Sequence, residues 1–223
     1  MKHKVLLSCL LALICQSTLA QWQLGVEAGC GITSITRSQA GRVDETYGSR
    51  ASYDIGIYAR YSILNWLAIR ADLELTERNH RMERNLAYIQ PVYTIYRNTY
   101  LQLPVMADFS FGGKKVRGHM YAGGFAGALL SGRNKGTTFW MTDDNIYFQD
   151  FDVSADLTER NRVTAGLVGG AGLSYDVTDR IILDATVLYY YDLVSYQKDS
   201  SKHISDPRYL NTLGITIGAA YKF

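Results

Sequence analysis

The chain has 223 residues, 23 Lys+Arg against 21 Asp+Glu, a formal net charge of +2 and a mean hydropathy of −0.10. That balance, with no basic stripe, argues against a nucleic-acid partner. No apolar run reaches the ~20 residues that a membrane-spanning helix needs.

The first 20 residues read as a cleaved secretory signal peptide. Lys2 and Lys4 precede the apolar run "VLLSCLLALICQ" and a small-residue site at Thr18-Leu19-Ala20, the three parts of such a leader. A lipoprotein reading built on Cys9 would leave only a few residues of apolar core. Cleavage after Ala20 leaves 21–223 as the mature domain. Lys2 and Lys4 leave with the leader, so 21 basic residues face 21 acidic ones. Cys30 is then the sole cysteine, which excludes an intrachain disulfide in an exported chain.

Eight stretches of period-2 alternation follow, in a composition of 20 Gly, 17 Tyr and 3 Pro that favours strands. The first has Trp22, Leu24, Val26, Ala28, Cys30 and Ile32 on one face, with Glu27 among glycines on the other. The second sets Tyr53, Ile55, Ile57, Ala59 and Tyr61 against Asp54, Tyr58 and Arg60. The third sets Leu67, Ile69, Ala71, Leu73 and Leu75 against Arg70, Asp72 and Glu74. In the fourth, Leu101, Leu103, Val105, Ala107 and Phe109 oppose Gln102, Pro104, Met106 and Asp108. The fifth, "HMYAGGFAGALLS", is too rich in glycine for its faces to be told apart. The sixth alternates from Val163 to Tyr175, and the seventh carries Asp184 and Asp192 opposite Leu183, Val187, Tyr189 and Tyr191. The eighth, "LGITIGAAYKF", ends the chain with Leu213, Ile215, Ile217, Ala219, Tyr221 and Phe223 on one face.

Connections alternate between long (34–52, 79–94, 132–162) and short (64–66, 112–118, 176–180), with a last one of medium length (195–208). An even number of antiparallel strands with tight turns at one end and long loops at the other is the plan of an outer-membrane barrel. The fold class is therefore predicted as all-β, an eight-stranded antiparallel up-and-down transmembrane β-barrel of the smallest size. Aromatics gather in two groups: Trp22, Tyr61, Trp66, Phe109, Phe111, Tyr121, Tyr175, Tyr221 and Phe223 at the short-turn end, and Tyr53, Tyr100, Tyr189 and Tyr191 at the long-loop end. Two belts suit the two interfaces of a bilayer. A soluble lipocalin-like barrel would have no use for a fully apolar outer band. The polar face then lines the interior, where Glu27, Arg60, Arg70, Asp72, Glu74, Asp108 and Asp184 form a network of paired charges, a plug rather than a channel at this barrel size.

With these strands placed, the chain resembles the PorT-like outer-membrane β-barrel family of Bacteroidota. The likeness lies in "WQLGVEAG", "YLQLPVMADFSFG", "MYAGGFAGALLSG", "VTAGLVGGAGLSYDVTDRIILDATVLYYYDL" and the terminal "LGITIGAAYKF". The resemblance implies an eight-stranded barrel integral to the outer membrane, bathed in its lipid. It also implies that the terminal aromatic strand, through Tyr221 and Phe223, is recognised by the barrel-assembly machinery.

Catalysis finds little support. A lipid-modifying enzyme would need a nucleophile, a base and an acidic orienter, and only His203 and Ser205, in a polar loop, suggest the first two. His80 reads as a surface residue of a charged loop, and His119 as a residue of the periplasmic rim. Asp143, Asp144, Asp150, Asp152 and Asp156 in the third long loop have no calcium-loop spacing, so no cofactor or metal is expected. Instead "TTFWM" and "IYFQDFDV" flank Asp143-Asp144-Asn145 like a hairpin standing above the membrane. Its Phe139, Trp140, Tyr147 and Phe148 are the candidate contacts for a protein partner. The expected function is a non-enzymatic barrel with a structural, adhesion or assembly-partner role, with a small pore or solute-uptake component as the alternative.

Overall fold

A computed structural model describes residues 22–37, 45–85, 91–142, 145–158, 160–197 and 207–223. The expected leader, His203 and Ser205, and the turn residues Asp143 and Asp144 lie outside them. The described residues form ten strands: β1 (Trp22–Arg37), β2 (Glu45–Leu64), β3 (Leu67–Glu77), β4 (His80–Arg84), β5 (Val92–Gly112), β6 (Val116–Met141), β7 (Ile146–Ser154), β8 (Val163–Asp176), β9 (Ile181–Asp192) and β10 (Arg208–Lys222).

Eight of them close a ring. β1 pairs with β2, β2 with β3, β3 with β5, β5 with β6, β6 with β8, β8 with β9 and β9 with β10, all antiparallel. β10 then returns to β1 in an unbroken register from Gln23↔Lys222 to Arg37↔Arg208. Closure leaves no backbone donor or acceptor of the ring facing lipid, the condition for strands to cross a bilayer. The short turns fall where alternation lapses, at Asn65–Trp66, 113–115 and 177–180. Gly112 adopts φ +118° in the β5–β6 turn, a conformation that favours glycine.

Two strands stand outside the ring. β4 continues β3 after a break at Arg78–Asn79 and lies between β2 and β5 (Met82 opposite Tyr47 and Thr94). β7 pairs with the upper part of β6 from Arg133↔Ser154 to Met141↔Ile146, so the expected hairpin is present. The ring strands also run further into the long-loop side than alternation predicted, because backbone pairing continues where apolar alternation stops.

Burial follows parity and is inverted relative to a soluble protein. Along β9 the even residues Ile182 to Asp192 are buried and the odd residues Ile181 to Tyr191 exposed. Val26, Ile57, Leu167 and Ile217 are 56–69 % exposed, and a continuous apolar surface of this kind is matched by lipid rather than water. From Trp22 to Ile32 the band measures about 25 Å along a tilted strand. Trp22 and Tyr61 (ring centroids 4.7 Å apart), Trp66 and Phe109 (6.3 Å), and Tyr221 and Phe223 (5.1 Å) mark its lower margin.

Two residues assigned to the belts lie inside instead. Tyr121 is buried on the lumen side of β6, where the glycine-rich run hides parity until β5 and β8 set it. Tyr100, 1 % exposed, shares parity with Gln102 and Pro104 and also points inward. Lumen glycines make room for these rings: a Cβ at Gly25 would meet the Tyr58 ring at 2.4 Å.

Candidate functional site: a filled lumen and an outer hairpin

All seven residues expected in the lumen network are there, none more than 8 % exposed. The parity of β1, β2, β3, β5 and β9 turns each of them inward, and the register stacks them in layers. Near the short-turn end, Arg60 Nε bonds Asp108 Oδ2 at 2.5 Å. The other oxygen, Asp108 Oδ1, meets His119 Nδ1 at 2.8 Å, and His119 Nε2 meets Ser174 Oγ at 2.8 Å. His119 is therefore buried within the lumen (5 % exposed) and not a rim residue.

A hydroxyl, an imidazole and a carboxylate in this order resemble a hydrolase triad. The Ser174 backbone is held in the sheet between Arg117 of β6 and Asp184 of β9, so it does not present the free backbone donors of a hydrolase oxyanion site. The adjoining cavity, bordered by Arg60, His119 and Asp184, holds about 30 Å³, room for about one water. The arrangement neutralises and positions Asp108.

In the middle layer Arg70 is the hub. Its Nη2 bonds Glu27 Oε2 at 2.6 Å and its Nε bonds Asp72 Oδ1 at 2.8 Å. The guanidinium lies 4.1 Å from the Tyr58 ring centroid and 5.5 Å from that of Tyr121. Tyr58 OH donates to Asp184, and Tyr190 OH lies 3.0 Å from Glu74 Oε1 and 3.2 Å from Oε2. One step higher, Arg78 Nη1 bonds Asp192 Oδ1 at 2.7 Å and stands over Tyr100, Phe125 and Tyr190. A second small cavity of about 20 Å³ lies among Glu74, Gln102, Tyr190 and Thr216.

Arg78, Asp192, His119, Tyr58 and Tyr190 belong to the network but were missed as members. Parity alone could have found four of them: Arg78 continues the Glu74–Thr76 face, and Tyr58, Tyr190 and Asp192 lie on the polar faces of their strands. His119 required the register of the glycine-rich strand.

Above the membrane band, the inner side of the wall is polar and aromatic. His80 is buried, 1 % exposed, and stacked on Tyr96 at 4.6 Å. It is not the surface residue expected from its charged neighbours. Burial first, and then the charges of Arg160 and Arg208, push its pKa down to about 3. Arg160 donates to Asn98, bonds Asn134 Oδ1 at 2.7 Å, and lies over the rings of Tyr96 and Tyr196.

The hairpin presents the four expected aromatics. Trp140 stands opposite Tyr147 with ring centroids 5.6 Å apart, and Phe139 opposite Phe148 at 6.5 Å. Successive residues of a strand face opposite ways, so each face of the hairpin carries one aromatic pair. β5 accompanies β6 only as far as Gly136. Among the described residues β7 pairs with β6 alone, which leaves its outer edge open. The acidic residues here are engaged locally: Asp150 with Thr137 (2.6 Å), Asp152 with Arg133 (2.5 Å) and Asp156 with Thr158 (2.7 Å).

A closed ring of eight strands around a charged, filled lumen has a match among known families. Residues 16–194 match the family described as outer membrane protein beta-barrel domain. The chain belongs to that family. The family match stops before β10, although β10 closes the ring against β1 and β9. No curated protein matches the chain. Among solved structures, the outer membrane protein OprG of Pseudomonas aeruginosa is similar over 90 % of this chain and 95 % of its own, at 13 % identity and a TM-score of 0.50. Neisserial surface protein A is similar over 90 % and 97 %, at 17 % identity and a TM-score of 0.46. The attachment invasion locus protein Ail of Yersinia pestis is similar over 91 % and 99 %, at 14 % and 0.41. At these identities the likeness is one of fold, and this family member is an outer-membrane β-barrel.

Proposed function

We propose that the chain is a non-enzymatic outer-membrane barrel that acts as an adhesion or assembly partner by docking a protein on its β6–β7 hairpin. The observation that carries this reading is the open edge of β7 beside two aromatic pairs. Natural edge strands are blunted by charges, proline or bulges; "IYFQDFDVS" has no proline, lysine or bulge in its register, and its two charges, Asp150 and Asp152, are bonded across to Thr137 and Arg133 of β6. An extended segment of a partner can add to such an edge through backbone hydrogen bonds, with alternate side chains reading the aromatics. Trp140, Tyr147 and Phe148 are 42–47 % exposed and provide the amphipathic anchors typical of interfaces.

The test places a photo-crosslinking residue at position 147 in cells displaying the protein. A discrete crosslinked protein, lost when Trp140 and Phe148 are changed to Ala while the barrel stays heat-modifiable, is the expected result. The absence of any crosslink from the hairpin would reject this reading.

A small pore is the second reading. The tightly packed lumen counts against it, and planar-bilayer recordings that show steady conductance would reinstate it. Export through the 1–20 leader, and insertion guided by Tyr221 and Phe223, complete the proposal. Changing both aromatics to Asp should block outer-membrane insertion. Placement in the PorT-like branch stands on the strand motifs alone.

A further inference from the structure

We propose that the middle of the lumen is a binding site for one divalent cation of the calcium class, held by Glu27, Asp72 and Glu74 with Gln102. The three carboxylates come from β1 and β3 and are 1–4 % exposed. Each offers an oxygen, and these oxygens lie within 4.8 Å of one another. Two oxygens bound to one calcium ion stand at most about 4.8 Å apart, twice a bond of ~2.4 Å, whereas magnesium allows only about 4.2 Å. The pairwise span reaches the outer limit of a calcium shell, so small side-chain shifts would bring the three oxygens to bonding distance of one ion.

Charge points the same way. Arg70 is the cation in contact with the cluster, and it satisfies one oxygen each of Glu27 and Asp72. Arg60 is paired with Asp108, and Arg78, which borders the cavity beside Glu74, is balanced in charge by Asp192. Three carboxylates and one guanidinium leave two negative charges buried, a costly state that one divalent ion would offset; Asp54, which lines the adjoining cavity, and Asp184, bonded by the Tyr58 hydroxyl, add to the negative surroundings.

The second observation is independent of the acidic cluster. Gln102, 1 % exposed, faces Glu74 across β3 and β5, and its Oε1 has no hydrogen-bond partner. It borders the ~20 Å³ cavity together with Glu74. Glu27 Oε1 and Asp72 Oδ2, the atoms that Arg70 leaves over, also lack partners. Arg78, whose Nη2 has no partner, also lines that cavity, and a neutral carbonyl oxygen beside the Glu74 carboxylate is ligand chemistry suited to a hard cation. Such an ion would clamp β1 to β3 and β5 across β2.

The experiment uses the mature chain folded in detergent micelles, with heat-modifiable migration confirming the barrel in every sample. Equilibrium dialysis against ⁴⁵Ca²⁺ should show one saturable ion per chain. At a hundredfold excess of calcium over Kd, the unfolding midpoint should lie about 5–10 °C above that in chelator. Glu27→Gln, Asp72→Asn and Gln102→Leu should each weaken binding at least tenfold, while Asp152→Asn on the hairpin should not. Terbium bound in place of calcium to the unmodified chain should emit on tyrosine excitation, since Tyr190 touches Glu74. The proposal is overturned if the unmodified chain takes up no calcium at 10 mM, which would mean that protons neutralise the cluster. It is equally overturned if the three lumen variants bind as well as the parent.

Discussion

In the lumen, Arg70 bonds Glu27 and Asp72 with every partner at most 2 % exposed, whereas on the hairpin Arg133 bonds Asp152 with side chains 63 % and 36 % exposed. Residue types and distances are nearly the same in the two places. What differs is the surrounding medium. Removing one member of a buried pair leaves a charge stranded in low dielectric, while an exposed pair simply rehydrates. The aromatics divide in the same manner. Tyr58 is locked by Gly25, Arg70 and Asp184 inside the wall, and Tyr147 offers a face to the exterior. The lumen is built for stability, and the hairpin leaves its aromatics exposed.

The comparison can be broken most forcefully at Arg70. Arg70→Ala strands Glu27 and Asp72 and should cost about 3–5 kcal/mol in denaturant unfolding; a loss below 1 kcal/mol would mean that the lumen behaves like the hairpin. Gly25→Ala comes next. The new Cβ would overlap a Tyr58 ring that cannot move without releasing Asp184, an overpacking of about 1–3 kcal/mol, read as a lower unfolding midpoint.

His80 sharpens the boundary between the two regions. Its folded pKa of about 3 lies below the ordinary 6.5, so between these values the unfolded chain binds a proton that the folded chain refuses. The stabilisation is complete above pH 6.5 and drains away as the pH falls towards 3, amounting to about 2 kcal/mol at pH 5. Protection factors of β4 amides, that is, exchange corrected for the intrinsic rate at each pH, should fall from pH 7 to pH 5, and His80→Phe should remove that dependence. The smallest effect belongs to Arg133→Ala, which should leave the unfolding midpoint unchanged within error; a marked drop would show that the hairpin is structurally coupled to the barrel.

Much of this was legible in the chain. Strict alternation in β1, β2, β3, β5 and β9 assigned each residue to a face, because a strand has a period of two and the medium on each side selects polarity. The seven lumen charges and the four hairpin aromatics followed from that rule. Where the rule has no contrast to act on, it failed. The glycines of β6 hid the inward direction of Tyr121 and His119, and a charged segment disguised His80, whose burial comes from strands that stack above the membrane.

Sequence by itself determined the all-β class, the count of ring strands, the lipid-facing band and the identity of the inward charges, since all of these depend on local alternation and turn spacing. Only the tertiary structure decided which charges meet. Glu27 and Asp72 are 45 positions apart in the chain and share Arg70, and Asp108 joins Arg60 to His119 and Ser174, because ring closure and register set distances that no one-dimensional pattern encodes. The open edge of β7 and the oxygen cluster around Gln102 are likewise products of pairing, and both proposed activities of this barrel arise there.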